Sequence, residues 1–109
     1  MTESLGLQQD DLKIIVSVLT QYTEVTEAFI FGSRAKGIFH NGSDIDIVLK
    51  GKNLDINIMS RISYQLNEET ILPYKIDVLN YHTISTKELV EHIDRVGINF
   101  YRNKQLQLL

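Results

Sequence analysis

The sequence contains no cysteine, a single proline and no long apolar run. Without cysteine there can be no disulfide and no thiolate zinc site, which fits a cytoplasmic protein. Pro73 is the only proline, and no Pro/Gly/Ser-rich tract divides the 109 residues, so one domain is expected. A membrane-spanning helix needs about 20 consecutive apolar residues, and none is present. Met1-Thr2-Glu3-Ser4 lacks the basic start and following apolar stretch of a secretion signal. Basic charge is not in excess either: eleven Lys and Arg stand against fourteen Asp and Glu, for a net charge of −3. Neutralising a nucleic-acid backbone requires clustered cations, so no direct nucleic-acid contact is expected. Acidic residues gathered at one site would instead attract divalent cations.

What is present is ordinary for a globular chain, 43% apolar and 23% charged. Leu12, Ile15, Val16 and Leu19 recur at helical spacing and predict a helix over 10–21. Residues 26–31 form a β-prone run that stops at Gly32, followed by a brief helical turn over 33–37. Asn41-Gly42-Ser43 is a turn signal, and residues 44–49 read as a strand. Ile58, Ile62 and Leu66 predict a helix over 55–68, and residues 74–79 a third strand after Pro73. Ser85-x-x-Glu88 matches a capping box. Leu89, Ile93 and Val96 continue a helical stripe to Gly97, a candidate C-cap, and residues 98–101 predict a last strand. Glu91 and Arg95 are spaced for an ion pair on the helix surface. The order predicts an α/β (α+β) domain over residues 8–101, a small mixed sheet flanked by helices. A tail follows over residues 102–109, whose leucines could dock on a partner.

Three features carry chemistry. Phe31-Gly32-Ser33 lies where a strand ends and a helical turn begins; amides at such a start are unpaired and favour an anion. Glycine lets backbone approach a phosphate closely. In Asp44-Ile45-Asp46-Ile47, strand alternation puts both carboxylates on one face and both isoleucines on the other. The carboxylates then stand roughly 7 Å apart along the strand and repel unless a cation lies between them. Asp77 sits mid-strand, where propensity disfavours it; beside the first strand it would bring a third carboxylate. Converging carboxylate oxygens suit a hard cation such as Mg²⁺, shared with substrate phosphates, and two such ions can flank the oxygens of an in-line displacement. Each feature alone has a plainer reading, respectively a turn, a solvated strand face and an edge-strand charge.

Taken together, Gly32-Ser33, ten residues, then Asp44-Ile45-Asp46 resembles the Gly-Ser-x10-Asp-x-Asp signature of the DNA polymerase β-like nucleotidyltransferase superfamily. The fuller string Phe31-Gly32-Ser33-Arg34-Ala35-Lys36-Gly37 with Ser43-Asp44-Ile45-Asp46 is similar to the minimal nucleotidyltransferases. The resemblance implies that fold, with Asp44 and Asp46 as metal ligands and Asp77 as the third carboxylate and a candidate proton acceptor. Two Mg²⁺ ions and ATP are the implied cofactor and substrate. Gly32 and Ser33 would bind the β/γ-phosphates, with Arg34 and Lys36 as candidate phosphate contacts.

The resemblance also implies a partner, because minimal nucleotidyltransferases often pair with a helical HEPN-family protein encoded alongside. In toxin–antitoxin pairs of this kind the nucleotidyltransferase is the antitoxin and adenylylates a tyrosine of the toxin. A nucleotidyltransferase subunit acting on a small hydroxylated molecule such as an aminoglycoside is an alternative. A non-catalytic antitoxin acting by binding alone is another, although a pure binder gains nothing from three repelling carboxylates.

Overall fold

The stripe that begins at Leu12 closes a helix, α1 (Gln9–Leu19), whose Leu12, Ile15, Val18 and Leu19 are buried. It packs beside α3 (Ile56–Glu68), which buries Ile62 and Leu66 and is capped by the Asp55 carboxylate accepting from the Ile58 amide. Both helices cover one face of a four-stranded sheet made of β1 (Glu27–Phe31), β2 (Ile45–Lys50), β3 (Ile76–Asn80) and β4 (Ile98–Arg102). The structure, a computed structural model, describes residues 3–103. Most of the expected docking tail, from Lys104 to Leu109, lies outside the described residues.

The sheet order is β3-β2-β1-β4. β1 runs antiparallel to both β2 and β4, whereas β2 and β3 are parallel and joined through α3, so the sheet is mixed. Residues with period two sort the faces. Ala28, Ile30, Ile45, Ile47, Leu49 and Ile76 point into the main core under α1 and α3. Phe29, Phe31, Val48 and Leu79 point to the other face, where α4 (Lys87–Val96) covers part of it through Leu89 and Ile93. A short helix, α2 (Gly32–Lys36), caps the end of the sheet where β1 finishes.

Ile47 is fully buried on the central strand β2. Ile47→Ala is therefore expected to cost about 2–5 kcal/mol and to lower the urea midpoint by ~1 M or more, measured by equilibrium denaturation.

Two local expectations need correction. The Ser85 capping box does not form: α4 begins one residue later, with Thr86 at the cap and no side-chain capping bond. Gly97 is the C-cap of α4 as expected, at φ −59° as the chain passes directly into β4. Among the described residues the ion pairs are Lys75–Asp77 and Arg102–Glu27, so Glu91 and Arg95 do not pair.

Candidate active site

β1 ends and β2 begins at the same edge of the sheet, and that edge gathers the predicted residues. Phe31 is the register partner of Asp46 across β1–β2, and Asp46 is the register partner of Asp77 across β2–β3. Adjacent strands lie about 4.8 Å apart, so Asp46 and Asp77 stand side by side on one face. Asp44 lies just ahead of β2 and is exposed. Ile45 and Ile47, both 0% exposed, anchor the opposite face in the core. A cleft of about 340 Å³ opens on the carboxylate side, lined by Ser33, His40, Gly42, Ser43, Asp44 and Asp46. A larger surface cleft lies by Lys50–Asn53 and His82, at the opposite end of β2 from the carboxylates, and has no comparable chemistry.

Gly32 is fitted to this corner in two ways. Its φ of +73° lies in the left-handed region, where a Cβ is disfavoured. A Cβ there would also collide with the Oδ2 atom of Asp46. The glycine turn and the carboxylate therefore touch, although they stand fourteen positions apart in the chain. The first amides of α2 follow immediately, without intrahelical acceptors.

Burial, then the negative charges of Asp77 and Asp44, raise the Asp46 carboxyl above its ordinary value of 3.8; Arg34 and His92 act in the opposite direction. Asp46 thus senses the charge of both other aspartates. As the side chains stand, no group of three His, Cys, Asp or Glu among the described residues is drawn close enough to hold a cation. The donor chemistry nevertheless fits one. All three groups are carboxylates, Asp44 is exposed, and Asp77 is held only by a surface pair to Lys75 at 3.8 Å, a weak restraint.

Arg34 is placed differently from the expected phosphate contact. It is 2% exposed, and its guanidinium donates to four backbone carbonyls: Leu5 at 2.8 Å, Gly6 at 3.2 Å, Ser43 at 2.6 Å and Asp44 at 3.3 Å. With four of its five N–H groups committed inside the protein, it has little left for a phosphate. Lys36, on the same short helix, is exposed.

Two contributors were missed in the sequence. Ser43 is buried, and its hydroxyl accepts from the His40 amide at 2.9 Å, closing the loop ahead of Asp44. His92 meets the edge of the Phe31 ring at 6.3 Å between centroids. Its spacing with Leu89 and Val96, on the inward stripe of α4, was the available signal.

A small mixed sheet whose strands bring aspartates together beside a Gly-Ser turn defines a nucleotidyltransferase domain. The chain belongs to the Polymerase beta, Nucleotidyltransferase family, whose profile matches residues 13–106. It is 29% identical over 82 residues to a Haemophilus influenzae protein named "Probable protein adenylyltransferase MntA", covering 74% of this chain and 71% of the relative. Among solved structures, a chain from a toxin–antitoxin crystal structure with AMP-PNP superposes with a TM-score of 0.71 at 20% identity, over 89% of this chain and 77% of that one. A chain from the complex of a tri-AMPylated Shewanella oneidensis HEPN toxin with its MNT antitoxin gives 0.68 at 18% identity, over 94% and 78%. At such identities these two structures establish the shared fold. No helix among the described residues is long and apolar enough to cross a membrane.

Proposed function

We propose that this chain is a cytoplasmic, Mg²⁺-dependent protein adenylyltransferase, an antitoxin that moves AMP from ATP to a tyrosine of a helical HEPN-family partner. The observation that carries this reading is the row Phe31–Asp46–Asp77 across three strands, with Asp44 ahead of it and Gly32 against the Asp46 carboxylate. The names of the Haemophilus influenzae relative and of the Shewanella oneidensis complex support the acceptor and the partner.

In this reading Gly32 and Ser33 hold the β- and γ-phosphates at the open end of α2, with Lys36 as a nearby cation. Asp44, Asp46 and Asp77 would hold two Mg²⁺ ions. Mg²⁺ bound there supplies neutralisation of phosphate charge and polarisation of the phosphorus–oxygen bonds. The rest of the catalysis is positioning. The partner's tyrosine oxygen forms a bond to the α-phosphorus as the bond to the β-phosphate oxygen breaks. Pyrophosphate departs, and the phenolic proton passes to the Asp77 carboxylate.

The test combines this protein with the HEPN-family partner, ATP and Mg²⁺ and weighs the intact partner. The expected result is a mass gain of one or more adenylyl groups that disappears with the double substitution Asp44→Asn, Asp46→Asn. No gain, or a gain that persists in the double variant, contradicts the proposal.

A further inference from the structure

Arg34 combines nearly complete burial with a full positive charge, and among the described residues no carboxylate pairs with it. A buried cation normally requires a counter-ion or a complete set of acceptors. Here the acceptors are backbone carbonyls from two segments far apart in sequence, Leu5 and Gly6 on one side and Ser43 and Asp44 on the other. Aromatic faces complete the enclosure, with the guanidinium carbon 4.9 Å from the Tyr74 ring centre and 5.3 Å from that of Phe39. Such contacts suit a planar, weakly hydrated cation.

We propose that Arg34 is a positioning residue of the carboxylate site, a buried clamp that ties residues 5–6 to residues 43–44 and thereby sets where Asp44 stands. This rests on the reading of Asp44 as a cation ligand in nucleotidyl transfer. One arm of the clamp ends on the carbonyl of Asp44 itself and another on that of Ser43, whose hydroxyl closes the same loop. Asp44 has no strand pairing of its own to hold it, since β2 starts at Ile45. Lysine cannot replace this arrangement: its three donors radiate from one point and cannot reach carbonyls on two sides.

The test uses the full chain and two readouts. Mn²⁺ affinity is measured without partner by the loss of the free-ion electron paramagnetic resonance signal, and kcat and KM for ATP are measured with partner. Arg34→Lys keeps the charge and removes the fork. It is expected to weaken Mn²⁺ binding by about tenfold, in the range seen when groups behind a metal ligand are lost, and to lower kcat similarly while KM for ATP stays within about twofold. If Arg34→Lys does not fold, Phe39→Leu carries the same test, because it opens one side of the enclosure and leaves the arginine in place. Unchanged Mn²⁺ affinity in the folded variant overturns the inference. So does a loss confined to KM for ATP, which would make Arg34 a phosphate contact after all. Wild-type protein that binds no Mn²⁺ overturns the proposed function, and this inference with it; wild-type binding matched by the variants overturns this inference alone.

Discussion

Asp46→Asn is expected to abolish adenylyl transfer, by on the order of 10³-fold, and at the same time to raise the melting temperature of the metal-free protein. The two effects share a cause. Asp46 is partly buried between Asp77, its register partner, and Asp44, two residues before it on the same face. Unit charges ~6 Å apart repel by roughly 1–3 kcal/mol, depending on how far water screens them. Burial and that repulsion both favour the protonated form, so the folded-state pKa lies above its ordinary value. The sign of the pH dependence follows from linkage. A carboxyl with a raised folded pKa contributes stability that is fully present below its unfolded value of 3.8 and is lost as pH rises through the folded value. Above that folded value the metal-free protein carries an ionised Asp46 at a cost, and asparagine removes the charge while keeping the size. Mg²⁺ should reverse the order, stabilising the wild type and leaving the variant nearly unmoved. Calorimetry in EDTA and in excess Mg²⁺ measures both. A variant that melts lower than wild type in EDTA, or that gains as much from Mg²⁺, would show that Asp46 is neither repelled by its neighbours nor a cation ligand.

Periodicity was enough to read most of this fold, because the elements that build it are locally coherent. The helix over 55–68, the strand after Pro73 and the β-prone run ending at Gly32 all fall within two residues of α3, β3 and β1. Asp44 and Asp46 were legible because strand alternation places them without any tertiary knowledge. Asp77 was legible only as a misfit, an acid where propensity disfavours one. Its value comes from parallel pairing with β2, which no local pattern specifies. Arg34 shows where such reasoning stops. A basic residue on a helical turn is ordinarily solvated, and its neighbours in sequence give no sign of burial. The carbonyls that hold it come from residues 28 or 29 positions before it and 9 or 10 positions after it, so only the folded chain brings them together. Ser43 read as a turn residue for the same reason: its hydroxyl bond is local, but its burial is tertiary.

Gly32→Ala is expected to damage the carboxylate site far more than Gly37→Ala, although the two glycines share a backbone conformation. Both glycines have left-handed backbones, at φ +73° and +75°, so alanine at either adds about 1–2 kcal/mol of backbone strain. They differ in what the new methyl would meet. At Gly37, which ends α2, there is nothing within 4 Å. At Gly32 the methyl runs into the Asp46 carboxylate, so the strand ligand or the turn must shift. Gly37→Ala should therefore lower the melting temperature by roughly 4–8 °C, as about 1 kcal/mol does in a domain of this size, and leave kcat within about threefold. Gly32→Ala should lower it further and cut transfer by about 10²-fold or more, since a misplacement near 1 Å at a reacting group costs that much. Thermal melts and single-turnover rates on the two variants separate the effects. Equal losses of rate would mean that left-handed strain alone disables the site; a large loss at Gly32 alone would locate the damage where the turn touches the carboxylate.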